Sequence, residues 1–177
     1  MKFNLIATCS RYMEFNAARE LENILYLIGD KEGTAWESPV AGLIFGRTNL
    51  DPYDAISKIR ELLKEKPWEF HYIKRIIPVE LVVRTDLEKI KEAALKLAER
   101  IPKTATYRIS IEKRHTDLHS RDLIDAIAPN INVKVDLTNP EYTLLIEIVG
   151  RQTGISLLSR DKSILNVQKE LVEGKEG

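Results

Sequence analysis

The stretch "IEKRHTDLHSRDL", residues 111–123, holds Lys113, Arg114, His115, His119 and Arg121 within nine positions. Three kinds of chemistry suit such a cluster. Two imidazoles four residues apart can bind a metal from one helix turn. Arginine and lysine can hold phosphate oxygens, the first through a bidentate fork and the second as a mobile charge. The same charges can also do no more than solvate a turn. The metal reading is the weakest, because the histidines straddle the start of a helix-like run and no third nitrogen or sulfur ligand lies near. Arg108 extends the basic run upstream, and the two imidazoles can add N–H donors or stack on a base.

The elements around the cluster sharpen the phosphate reading. "TYRISIEKR" (106–114) alternates as a strand, with Tyr107, Ile109 and Ile111 on one face and Arg108, Ser110 and Glu112 on the other. "HSRDLIDAIA" (119–128) reads as a short helix, with Ser120 or Asp117 as its cap and Pro129 as its stop. A strand thus delivers the chain to a helix N-terminus, where free N–H groups and the helix dipole favour an anion. Arg114, at the strand end, and Arg121, in the first helical turn, are both expected to face solvent.

Other chemistry is missing. No closely spaced glycines form a phosphate loop: "GRQTG" (150–154) lacks the lysine and the following helix, and reads as a hairpin. "NPEY" (139–142) carries Glu141 where a base-gripping Asn-Pro-Pro-Tyr box has proline, and reads as a turn. Nucleophile elbows, His-Glu-x-x-His and Cys-x-x-Cys are absent. The lone Cys9 allows no internal disulfide and is read as a small hydrophobe at a strand end. No catalytic residue, cofactor or metal is expected.

A length of 177 residues, 44% of them hydrophobic, allows one large domain or two small ones. The net charge is zero, yet residues 1–70 lean acidic and 71–162 lean basic, and a polyanion responds to the local field. No apolar run approaches the roughly 20 residues that span a bilayer. The opening "MKFNLIATCS" is too short for a signal peptide, so a soluble, cytoplasmic chain without membrane attachment is expected.

Residues 3–9 read as a strand, and Glu14 to Ile28 as a helix with Phe15, Ala18, Leu21, Leu25 and Ile28 inward. Two short strands follow, then a helix capped by Asp51 with Pro52 at its first position. "FHYIKRIIPVELVV" (70–83) is β-rich, with Pro78 dividing it into two segments or bending an edge strand. This β-α-β-β-α-β order is that of the ferredoxin-like fold. Asp86 caps the next helix, "NVKVDL" and "YTLLIEIVG" are strands, and "GISLLS" is the antiparallel neighbour of the latter. Residues 161–177 are polar and read as a short helix or flexible tail.

The run "KVDLTNPEYTLLIEIVGRQTGISLL" (134–158), with "KRHTDLHSRDLIDAIA" (113–128) and "RIIPVE" (75–80) before it, resembles a THUMP domain. The likeness is nearest to the stand-alone THUMP proteins that serve as tRNA-binding partners in cytidine acetylation. It implies an α+β chain: an N-terminal ferredoxin-like domain at 1–74, an α/β THUMP domain at 75–160, and the tail. It further implies that the two domains grip the acceptor end of tRNA, with Lys113, Arg114 and Arg121 as RNA contacts, to which the local cluster adds His115, His119 and Arg108. Asp136, Asn139 and Pro140 match the family signature and are read as structural, so that Asn139→Ala should loosen the turn. The function so implied is non-catalytic: presenting tRNA to an RNA-modifying enzyme, an acetyltransferase above all. The alternatives are a subunit of a split methyltransferase, thiolation or deaminase enzyme, and a protein-interaction module without RNA binding.

Overall fold

A computed structural model describes residues 2–176. They form a mixed α/β fold with two five-stranded sheets and five α-helices. The chain divides into two compact units, one of residues up to Val79 together with those from Ser163 on, the other Glu80–Lys162.

The first unit runs β1 (Leu5–Thr8), α1 (Glu14–Leu27), β2 (Thr34–Glu37), β3 (Leu43–Arg47), α2 (Pro52–Glu65) and β4 (Arg75–Pro78). Its strands are all antiparallel, in the order β4-β1-β3-β2. Helix α1 buries Ala17, Ala18, Leu21, Ile24 and Leu25. Phe15, expected on that face, is 64% exposed, because six residues from Leu21 place it about 120° round the helix, outside the apolar stripe. Gly46 of β3 lets α1 come close, since a Cβ there would lie 2.7 Å from the Leu21 side chain. As expected, Asp51 caps α2, accepting the N–H groups of Tyr53 and Asp54 at 2.9 and 3.1 Å.

The run 70–83 does divide at Pro78. The first half, β4, pairs with β1 and sets Ile76 in the core of the first unit. The second half, β5 (Leu81–Arg84), joins the other sheet. The boundary therefore falls between Val79 and Glu80, five residues beyond the expected one, because "RIIP" completes a ladder rather than starting a new domain.

The second unit continues with α3 (Leu87–Ala98), β6 (Thr106–Arg114), α4 (Ser120–Ile127), β7 (Lys134–Val135), β8 (Tyr142–Val149) and β9 (Gln152–Ser159). Its sheet order is β5-β9-β8-β6-β7. Strands β6 and β8 are parallel over eight registered pairs, from Tyr107↔Tyr142 to Arg114↔Val149. Gly150, with φ +61°, begins the tight turn to β9, a backbone that glycine supplies without steric cost. Asp86 caps α3 by accepting from the Lys89 N–H at 3.0 Å. Ile90, Ala94 and Leu97 of α3 and Leu123 and Ile127 of α4 share a core with Tyr107, Leu144, Ile146 and Ile148.

Of the two forms expected for the last segment, the structure has the short helix, and it is packed rather than loose. Strand β10 (Leu165–Asn166) pairs with the outer edge of β4, and α5 (Val167–Glu176) follows it. Leu165 is 0% exposed and belongs to the first unit's core with Val167. Arg60 of α2 pairs with Glu170 at 2.6 Å and donates to the Ser163 hydroxyl at 3.1 Å. A polar composition hid three well-placed apolar residues, Leu165, Val167 and Leu171. Leu165→Ala should cost about 2–4 kcal/mol in urea unfolding, whereas a change in an unpacked tail stays within about 0.5 kcal/mol.

Candidate nucleic-acid interface

Strand β5 is antiparallel to β9, and β9 to β8, so β5, β8 and β6 all run the same way. Their C-terminal ends share one edge of the second unit with the N-terminus of α4. Lys113 is exposed there, its Nζ donating to the Leu118 carbonyl at 3.2 Å. His115 takes φ +56° to turn the chain off the strand, and it is exposed. The Thr116 hydroxyl accepts the Leu118 N–H at 3.2 Å and tightens the bend. The N-cap of α4 is His119, not Ser120 or Asp117, and its side chain makes no capping hydrogen bond. Arg121 stands exposed in the first helical turn. Lys113 and Arg121, with the imidazoles of His115 and His119 between them, rim a helix start that has no side-chain cap, the arrangement that attracts an anion.

Two residues expected alongside them are placed differently. Arg114 is not a free solvent-facing cation: its side chain is 21% exposed and pairs at 2.6 Å with Glu147, which is 1% exposed. A buried carboxylate demands a counter-ion, and the diagonal from β6 to β8 supplies it. Arg108 lies six residues back along the strand, roughly 20 Å from the junction, and donates to the Leu137 carbonyl at 3.2 Å. It belongs to the opposite edge of the sheet.

The fold adds two cations that local reading passed over. Arg84 ends β5, opposite Gln152 of β9, and Arg151 occupies the β8–β9 turn. Gly150 in that turn donates its N–H to the Arg114 carbonyl at 2.9 Å, and the Thr85 N–H reaches the Arg151 carbonyl at 2.9 Å. Both arginines are exposed and enter no ion pair among the described residues. Only strand pairing could reveal them, since Arg84 lies 29 residues before Lys113 and Arg151 lies 30 after Arg121.

At the opposite edge, the segment 136–141 crosses the start of β6, because β7 and β8 lie on either side of that strand and both run parallel to it. The Asp136 carboxylate accepts the N–H groups of Thr138 and Asn139, both at 3.0 Å. The hydrogen bonds from Asn139 and Thr138 hold this carboxyl below the usual range. Asp136 makes the turn, while Asn139 contributes its backbone N–H, which alanine would keep. Elsewhere, burial and then the charge of Glu14 push the Cys9 thiol up to about 11, so at neutral pH it is no nucleophile. Among the described residues no group of three or more His, Cys, Asp or Glu could hold a metal, and no helix is long and apolar enough to cross a membrane.

Residues 84–158 match the family model described as "THUMP domain". This part of the chain is a THUMP domain, which is an RNA-binding module. The chain is homologous at low identity to THUMP domain-containing protein 1, with 29% identity over 124 residues to the mouse protein and 28% over 124 to the human one. It spans about a third of the length of these relatives, the match covering 64% of this chain and 35% of each of them. The fold is shared with PH1313 of Pyrococcus horikoshii, at a TM-score of 0.61, 20% identity, and coverage of 93% of this chain and 55% of that one. It is shared also with TrmN of Thermus thermophilus, at a TM-score of 0.57 and 13% identity over 88% of this chain and 45% of that one. A 4-thiouridine synthetase crystallised with RNA and ATP gives 0.57 and 12% identity over 93% of this chain and 42% of its own.

Arg114→Ala should destabilise the second unit by about 3 kcal/mol in denaturant titration by stripping Glu147 of this ion pair. Arg121→Ala should stay within about 0.5 kcal/mol. Asp136→Ala should lower the melting temperature at pH 7, and Asn139→Ala should not. Because the folded Asp136 pKa is depressed, its contribution is complete above the unfolded value of about 3.9 and vanishes as pH falls through the folded one. The gap between parent and Asp136→Ala should therefore narrow steadily in melts taken at pH values falling below the unfolded value of about 3.9.

Proposed function

We propose that this chain is a non-catalytic RNA-binding protein that grips the acceptor end of tRNA and presents it to a separate modifying enzyme in the cytoplasm. The observation that carries this is the exposed edge of the THUMP domain, where Arg84, Lys113, Arg121 and Arg151 surround the uncapped start of α4. Four exposed cations at a helix N-terminus suit phosphate oxygens. They read shape and charge more than base identity, which fits a structured RNA with an unpaired end. In support, one protein that contains this fold, a 4-thiouridine synthetase, forms a complex with RNA.

The choice of a tRNA cytidine acetyltransferase as partner comes from the sequence resemblance to stand-alone THUMP proteins. The first unit, read as ferredoxin-like on its β4-β1-β3-β2 order, is taken to complete the grip. His115 and His119 border the cationic edge as N–H donors or stacking rings. Arg114 contributes by holding the strand end in place, and Arg108 is left outside this contact surface.

Gel-shift titration of tRNA should give a log affinity that falls against log salt with a slope of about −2 to −4, as three or four phosphate contacts require. A slope near zero would sink the electrostatic reading. The Arg121→Ala, Arg151→Ala double variant should bind tRNA at least tenfold more weakly, with an unchanged melting temperature. Mass spectrometry of tRNA incubated with the protein alone and common cofactors should show no new nucleoside. Acetylcytidine should rise when the protein is added to the acetyltransferase and acetyl-CoA. A modified base made by the chain alone would favour the split-enzyme alternative.

A further inference from the structure

The first unit carries a second concentration of cations and rings, remote in sequence from the THUMP edge. Strand β1 pairs with β4, with Thr8 opposite Arg75, so the loop leaving β1 and the loop entering β4 lie side by side. Strand β10 adds its Asn166 opposite Arg75 from the other side. Between them opens a cleft of about 650 Å³ lined by Met13, His71, Tyr72, Lys74, Arg75 and Gln168, among others. That volume is within the range of about 300–1,000 Å³ typical of small-ligand sites.

The cleft wall is held firmly. Glu20 of α1, 8% exposed, accepts the backbone N–H groups of His71 at 2.6 Å, Tyr72 at 3.0 Å and Ile73 at 2.8 Å. Both carboxylate oxygens are thus engaged by the loop, and the rings of His71 and Tyr72 are displayed edge to face, 6.4 Å apart, on a fixed backbone. Around them the surface leaves apolar groups uncovered: Tyr12 is 89% exposed, Phe15 64%, and Met13 and Tyr72 38% each. Tyr12 also holds φ +74°, a costly backbone for a bulky residue. Lys74 and Arg75 enter no ion pair among the described residues.

Aromatic rings interleaved with unpaired cations match one chemistry well. A base offers its π-face to a ring while the adjoining phosphate takes a lysine or arginine. Inside a duplex both faces of a base are already stacked, so unpaired nucleotides suit such a surface best. We propose that this cleft is a second RNA site, seating unpaired nucleotides by stacking on Tyr72 and His71 with Lys74 and Arg75 on the phosphates. The proposal rests on the reading that the chain binds RNA, and it adds a subsite on the other unit.

The test uses the full chain and fluorescence anisotropy with a single-stranded RNA octamer, a blunt RNA duplex of equal length, and tRNA. Tyr72→Ala should weaken the octamer about five- to hundredfold, and Lys74→Gln should weaken it with a reduced salt slope. Neither should change the melting temperature or duplex binding. Tyr26→Ala, 57% exposed near the far end of α1, should bind like the parent. If tRNA binds but the octamer is indifferent to Tyr72→Ala and Lys74→Gln, the cleft proposal falls while the tRNA reading stands. If inorganic polyphosphate displaces the octamer as readily as unlabelled octamer does, the patch is only a charge sink and the proposal falls again. If no RNA binds to the parent, both readings fall together.

Discussion

The parallel pairing of β6 with β8 is the constraint from which the rest of the second unit follows. Parallel neighbours cannot be joined by a tight turn, because the chain must return to its starting end before it can run the same way again. Leaving β6 at Arg114, it turns on His115 and goes back through α4, crosses the start of β6 between 136 and 141, and re-enters as β8. The end of a strand and the start of a helix are thereby brought to one edge by topology alone. The antiparallel return of β9 then sets Arg151 beside them, and β5 brings Arg84. The electrostatic character of that edge belongs to the sheet as a whole, and no contiguous stretch contains it.

Within this frame the two units use carboxylates in a similar way. Glu147 holds Arg114, and so the last residue of β6, while the Gly150 N–H binds the Arg114 carbonyl from the neighbouring turn. Glu20 holds three successive backbone amides of the loop before β4. Burying such charges costs much of what their partners return, so neither is a large net source of stability. What each provides is a fixed backbone next to an exposed group of cations. Arg114 serves as the anchor, and its neighbours Lys113 and Arg121 remain available to a ligand.

Features set by nearest-neighbour chemistry were legible in the sequence. The caps at Asp51 and Asp86, the alternation of β6, the break at Pro78 and the hairpin at Gly150 each depend on a few adjacent residues. What escaped depends on residues far away in sequence. Nothing near Arg114 tells of Glu147, 33 positions on, and nothing near Arg84 or Arg151 tells of the junction. The pattern through Phe15 fitted helical spacing, yet the stripe is centred on Leu21 and leaves that ring outside. The Asn-Pro pair drew notice in the 136–141 turn, although the Asp136 carboxylate makes its hydrogen bonds. In the last segment, Leu165 and Val167 follow a strand period and Leu171 a helical one, so no single periodicity marks it as ordered.

The closure of the first unit by β10 has a consequence for how the protein is made. The second unit is an insertion between two parts of the first, so a chain emerging from the ribosome supplies every residue of the second unit before Leu165 appears. Until then β4 lacks its outer partner, and the exposed edge is open to mispairing with other chains. Domains tend to fold as units during synthesis, the earlier-completed first. The order of maturation here is therefore the reverse of the order of the N-termini: the THUMP domain can close first, and the N-terminal unit is sealed last.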